Sequence, residues 1–167
     1  METKGLSIWL MPEGEQYNRF SKIISDLSKK HNGPKFKPHL TLLGDIERDK
    51  EDVLNRANQL AQVVKPLVMK LDKVDYMDEY FKCVFVRAEE EYEFMKANDI
   101  ARRFFYMESQ KFMPHISLLY GDYPEGVKKE LVSKLNIKEE MPVNNLYVVD
   151  NNGKPEEWKI IKKIPLK

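Results

Sequence analysis

The chain has 167 residues, 42% of them hydrophobic and 33% charged, the composition of an ordinary globular protein long enough to bury a core without metals or disulfides. With 28 Lys plus Arg against 27 Asp plus Glu, its formal charge of +1 excludes the field that holds a long nucleic acid by counterion release, and it favours compact substrates. The single cysteine, Cys83, excludes an intramolecular disulfide and reads as a packed strand thiol between Lys82 and Val84.

The first element is a strand, Leu6-Ser7-Ile8-Trp9-Leu10-Met11. Pro12 and Glu13 stop this apolar run well short of a signal segment or membrane span, so a reducing, cytoplasmic setting is expected, with no membrane partner. Residues 15–30 carry Tyr17, Phe20, Ile23, Ile24 and Leu27 at helical spacing, and Asn32-Gly33-Pro34 ends them. His31, at that helix end, fits a favourable interaction with the dipole. A β-rich segment containing His39 follows and is punctuated by Gly44-Asp45. Residues 49–65 read as a second helix stopped by Pro66.

Two strands, 67–76 and 80–88, suit an antiparallel hairpin across Met77-Asp78-Glu79. A helix is expected from Glu91 to Glu108, where the acidic run Glu89-Glu90-Glu91 suits a helix start. A strand follows from His115 to Tyr120, then a short helix from Pro124 to Leu135. The last strands are 143–149 and 158–164, separated by the turn-rich Asp150-Asn151-Asn152-Gly153. Each half of the chain thus presents a helix, a histidine strand, another helix and a strand pair. This order predicts an α+β fold of two related lobes, with an antiparallel sheet and outer helices in each and a cleft between. Residues 1–167 are expected to form one two-lobed domain, acting as a monomer.

The halves share more than their order. Phe36-Lys37-Pro38-His39-Leu40-Thr41-Leu42 returns as Phe112-Met113-Pro114-His115-Ile116-Ser117-Leu118, using two of the three histidines. From this chain's residue frequencies such a second copy is roughly a one-in-10^4 to one-in-10^5 accident. Side chains alternate across a strand, so His39 and Thr41 share one face while Leu40 and Leu42 occupy the other; His115 and Ser117 repeat the arrangement. Burial of the leucine and isoleucine faces leaves imidazole and hydroxyl for a cleft. Paired imidazoles can give and take protons near neutral pH. A hydroxyl two residues along, roughly 6 to 7 Å away, reaches a non-bridging oxygen of a phosphate held between them. Pro38 and Pro114 stiffen the approach to each histidine.

The paired His-x-(Thr/Ser) motifs, the opening Leu6-Ser7-Ile8-Trp9-Leu10-Met11-Pro12, the segment Gly33-Pro34-Lys35-Phe36-Lys37-Pro38-His39 and the segment His115-Ile116-Ser117-Leu118-Leu119-Tyr120 resemble the 2H phosphoesterase superfamily. The likeness extends over most of the chain and is closest to the plant and yeast cyclic phosphodiesterases. It implies a two-lobed fold and a metal-independent enzyme with no cofactor. The substrate it implies is a small cyclic phosphate, such as ADP-ribose 1'',2''-cyclic phosphate or a nucleoside 2',3'-cyclic phosphate. His39 and His115 would be the catalytic pair, Thr41 and Ser117 the phosphate ligands, and Tyr120 and Trp9 aromatic walls. Strand parity opposes the assignment of Tyr120, which shares a face with Ile116 and Leu118 unless the strand ends or bulges there.

Three rival readings use the same residues. A metallohydrolase could recruit Asp45 or Asp122, although six residues of unbroken strand carry Asp45 roughly 20 Å from His39. RNA end processing, or 2',5' ligation or cleavage, could use Lys35, Lys37 and Lys111 against a phosphate backbone. A nucleotide-binding module without turnover would use the cleft alone.

Overall fold

The computed structural model describes residues 1–167. Strand β1 (Leu6–Leu10) leads into helix α1 (Gly14–His31), followed by β2 (Leu40–Ile46) and α2 (Lys50–Val63). Strands β3 (Leu67–Tyr76) and β4 (Val84–Ala88) flank a short 3-10 turn at Tyr80–Lys82, and α3 (Tyr92–Phe104), β5 (His115–Leu119) and α4 (Glu125–Lys134) come next. Strands β6 (Glu139–Val143), β7 (Asn145–Asp150) and β8 (Lys159–Pro165) complete the chain.

Local chemistry sets these boundaries. Asp49 caps α2 by accepting from the backbone N–H groups of Glu51 and Asp52, two donors a helix start leaves unpaired. Asn32 takes the left-handed conformation, with φ of 54°, that closes α1. Inside α1, Phe20, Ile24 and Leu27 recur at helical spacing and are buried.

All eight strands join one antiparallel sheet in the order β6-β3-β4-β5-β2-β1-β7-β8. The two histidine-bearing strands meet at its centre, where a single residue pair, Leu40 with Ile116, joins β2 to β5. On either side lies a lobe of four strands, in which β2, β1, β7 and β8 match β5, β4, β3 and β6 outward from the seam. The expected α+β duplication is therefore present, but the lobes are not contiguous halves of the chain. The hairpin β3–β4 flanks the second histidine, whereas the C-terminal pair β7–β8 returns to complete the first lobe against β1. Sequence period identifies a strand but carries no record of its partner, so a chain-order reading exchanges the strand pairs.

A second correction concerns β6, which the sequence pattern does not predict. Its sequence Glu139-Glu140-Met141-Pro142-Val143 lacks the composition of a central strand, yet it lies at the sheet edge, where charge and proline are tolerated. Helix α3 ends at Phe104, short of the expected Glu108, and the chain turns through Tyr106 at a φ of 55°.

Leu40, Leu42, Ile116 and Leu118 are each at most 1% exposed and lie in the main core, as alternation requires. Burying such a side chain contributes about 1.5–3 kcal/mol. Helix α1 packs on β5 and α3 on β2, so each crosses to the histidine strand of the opposite lobe; α2 covers β1, β7 and β8, and α4 covers β3 and β4. These crossings tie the lobes together where the sheet itself contributes only one pair. A separate cluster of Trp9, Met11, Tyr120, Tyr147, Val149 and Trp158 supports the site described below. No helix is long and apolar enough to cross a membrane.

Candidate active site

Both copies of the repeat solve one local problem in the same way. The residue before a proline is driven to extended backbone, which leaves the carbonyls of Lys37 and Met113 turned back towards the histidine two positions on. His39 Nδ1 lies 2.7 Å from the Lys37 oxygen, and His115 Nδ1 lies 2.8 Å from the Met113 oxygen. A carbonyl only accepts, so each Nδ1 carries the proton and each Nε2 is the nitrogen left for chemistry. His39 immediately precedes β2 and His115 opens β5.

The two imidazoles line one cleft of about 590 Å³ together with Thr41, Ser117, Tyr120 and Trp158. Burial lowers the pKa of His39 to about 3, against the Lys37 carbonyl, which favours the charged ring, and with His115 lowering it further. Burial also lowers that of His115, with Lys82 and Arg87 acting in the same direction and the Met113 carbonyl opposing. Both rings are therefore neutral near pH 7 in the empty cleft. An anion placed between them would draw a proton onto one, giving an acid and a base side by side.

The hydroxyls differ. Thr41 makes no hydrogen bond within the protein and its side chain is open to the cleft, whereas Ser117 donates to the Phe81 carbonyl at 2.8 Å. A phosphate oxygen can be met by Thr41 without breaking anything, but Ser117 must give up or share its proton.

Tyr120 does reach the cleft, against strand parity. Strand β5 stops at Leu119 and Gly121 adopts a φ of 145°, with its N–H donating to the Tyr80 carbonyl at 3.0 Å. A Cβ at Gly121 would collide with the Tyr123 ring, so this bend requires glycine. Tyr120 is 3% exposed, stacks on Phe36 with centroids 3.8 Å apart, and has its phenol pKa pushed up by burial.

Trp9 lies beneath His39 and lines the neighbouring pocket that shares Trp158 with the cleft. It is 2% exposed and stacks flat on His39, with centroids 3.6 Å apart and planes 8° from parallel. It is thus a floor beneath the imidazole, absent from the cleft lining. Trp158, which the sequence pattern puts inside a strand, is an aromatic wall of the cleft alongside Tyr120; it stands just before β8, edge-on to both Trp9 and His39. Sequence reasoning also misses Phe81 and Lys82 in the 3-10 turn and Ser7 of β1, all cleft-lining. The parity of Ser7 with Trp9 is the one available signal.

Lys111 joins Lys82 at the cleft, while Lys35 and Lys37 line a separate pocket of about 350 Å³ with Trp9, Phe36 and Trp158. Asp45 also borders the cleft, but no group of three or more His, Cys, Asp or Glu side chains is placed to hold a metal ion. Cys83 is buried, and burial pushes its thiol up to about 11, far from a nucleophile.

Comparison with known proteins adds lineage to this geometry. Residues 4–166 match the model of the family described as cyclic phosphodiesterase-like protein. A cyclic phosphodiesterase from Arabidopsis thaliana is 28% identical over 129 residues, 77% of this chain and 71% of the relative. Among solved structures, TT0787 of Thermus thermophilus superposes with a TM-score of 0.72 at 21% identity, covering 96% of this chain and 97% of that one. Escherichia coli LigT complexed with 3'-AMP gives 0.64 at 15% identity, over 99% of both chains. At these identities the two structures speak to the fold.

Proposed function

Because the chain belongs to the cyclic phosphodiesterase-like family of 2H phosphoesterases, we propose that it hydrolyses a small cyclic phosphate to a phosphomonoester by two-histidine acid-base catalysis. The observation that carries the proposal is the matched pair of Nδ1–carbonyl contacts, which frees both Nε2 atoms in one cleft. ADP-ribose 1'',2''-cyclic phosphate and nucleoside 2',3'-cyclic phosphates are the substrate class. The Arabidopsis relative is named a cyclic phosphodiesterase, and LigT was solved with 3'-AMP, which favours nucleotide-sized ligands.

In this reading one Nε2 takes a proton from water as its oxygen attacks phosphorus in line. The bond from phosphorus to one ribose oxygen breaks, and that oxygen takes the proton carried by the other Nε2. The phosphoryl group keeps the new oxygen as a monoester, and proton exchange with solvent resets the imidazoles. Thr41 and Ser117 hold the equatorial oxygens, where charge concentrates in the transition state, and no metal is required. Tyr120 and Trp158 flank the organic part, while Trp9 acts through His39 as a positioning residue.

The test is direct. Incubation in EDTA with ADP-ribose 1'',2''-cyclic phosphate and 2',3'-cyclic AMP should yield monoesters by phosphorus NMR. Inertness towards both, or activity restored only by a divalent ion, would overturn the proposal.

A further inference from the structure

Beside Thr41 the cleft carries polar groups that the two-histidine mechanism leaves unused. Asn151 is 7% exposed, yet neither its Oδ1 nor its Nδ2 makes a hydrogen bond within the protein, and Oδ1 is fully occluded. Ser7 is 5% exposed, lines the same cleft, and its hydroxyl likewise has no protein partner. Buried side-chain amides are nearly always paired, so an unpaired one on the same cleft as an unpaired, accessible hydroxyl calls for a reason.

The sheet explains how they come together. Ser7 and Trp9 share a face of β1, and their partners on β7 are Val149 and Tyr147, so Asn151 continues that face by alternation. Thr41 pairs with Trp9 from the other side. Gly44 keeps the space open, since a Cβ there would lie 3.2 Å from Thr41 Cγ2 and 3.9 Å from Ser7 Oγ. Asn151 is also held in place: Trp158 Nε1 donates to Thr3 Oγ1 at 3.0 Å, and Thr3 Oγ1 donates to the Asn151 carbonyl at 2.5 Å. One relay thus fixes the aromatic wall and the amide together.

We propose that Ser7 and Asn151 form a ledge that hydrogen-bonds a free hydroxyl on the sugar of the substrate and so determines specificity. The proposal rests on the cyclic-phosphodiesterase reading above. A sugar is fused to the cyclic phosphate and is the first organic group within reach of a ledge next to Thr41. Ser7, Asn151 and the adjoining Thr41 are all neutral, which suits a hydroxyl, whereas the cleft lysines Lys82 and Lys111 suit an anion. The Asn151 Nδ2 offers a donor, and the Ser7 hydroxyl offers both a donor and an acceptor, as a hydroxyl requires.

The experiment compares 2',3'-cyclic AMP with its 5'-deoxy analogue, which lacks only the free hydroxyl. Wild type, Asn151→Ala and Ser7→Ala are assayed on both. Wild type should favour the hydroxylated substrate about three- to tenfold in kcat/KM, chiefly through KM, and each variant should lose most of that preference while retaining turnover of the deoxy analogue. The backbone contacts of Asn151 survive the substitution, and removing an unpaired buried amide should leave Tm unchanged or raised. Equal losses on both substrates, or an unchanged preference, would overturn the ledge and leave the hydrolase reading standing. A folded wild type inert towards both substrates would remove the hydrolase reading, and the ledge with it.

Discussion

The two half-sites share a phrase and a backbone device but not an environment. In the first lobe β1 sets Trp9 opposite Thr41, and its indole lies flat on His39; in the second β4 sets Phe85 opposite Ser117, and its ring meets His115 edge-on, with centroids 5.2 Å apart and planes at 65°. The partner positions correspond, so the duplication extends past the motif into the neighbouring strand. The residues that fill them differ, and the consequence is electrostatic: His39 is sealed under an indole, while His115 sits beside Lys82 and Arg87. Duplication preserved the backbone geometry of the two histidines and let their surroundings diverge.

The largest expected effect tests what the halves share. His39→Ala and His115→Ala should each lower turnover by about 10^2 to 10^4, and the double variant should be little worse than the poorer single one. Near-native turnover in either variant would break the equivalence of the two half-sites.

The hydroxyls sharpen the contrast. Thr41→Val should cost about tenfold or more in kcat/KM with almost no change in Tm, since its hydroxyl has no protein partner. Ser117→Ala should lower both activity and stability, the latter by about 0.5–1.5 kcal/mol for the lost bond to the Phe81 carbonyl. Equal stability costs in urea titrations would count against this asymmetry.

Protonation distinguishes the halves further. The proposed mechanism needs one imidazole charged and one neutral, and burial lowers both pKa values, that of His39 to about 3. The kcat/KM profile should therefore peak on the acid side. It should fall as pH rises through the His115 value, below 6.5, and fall again as pH approaches about 3. A plateau extending above about pH 8 would contradict it. The same shifts govern stability: the folded state binds fewer protons than the unfolded one between 6.5 and about 3, so stability is full above that window and declines as pH falls through it. The smallest effect belongs to Trp9→Phe, expected to raise the His39 pKa modestly by admitting water, as read from its NMR titration.

Much of this is legible in the sequence because alternation is a local rule: Leu40 and Leu42 fix the buried face, and His39 and Thr41 follow on the other. The same rule fails at Tyr120, where Gly121 bends the chain out of the strand one residue early. Non-local pairing leaves no such trace. Nothing in the segment around Asn151 and Trp158 announces that β7 returns to β1 and brings both residues to the histidine cleft from the far end of the chain. Resemblance singles out Trp9 but not its stacking beneath His39, because a strand pattern does not say which neighbouring ring an aromatic meets.

The central claim is that two Nε2 atoms from different lobes address one anion. Nitrogen-15 NMR of both imidazoles during titration with adenosine 2'-monophosphate tests it directly. The expected result is Nδ1-protonated rings in the free protein, followed by simultaneous shifts of both Nε2 signals along one binding curve at one ligand per chain. Movement of only one imidazole, or two curves with separate midpoints, would contradict a shared site.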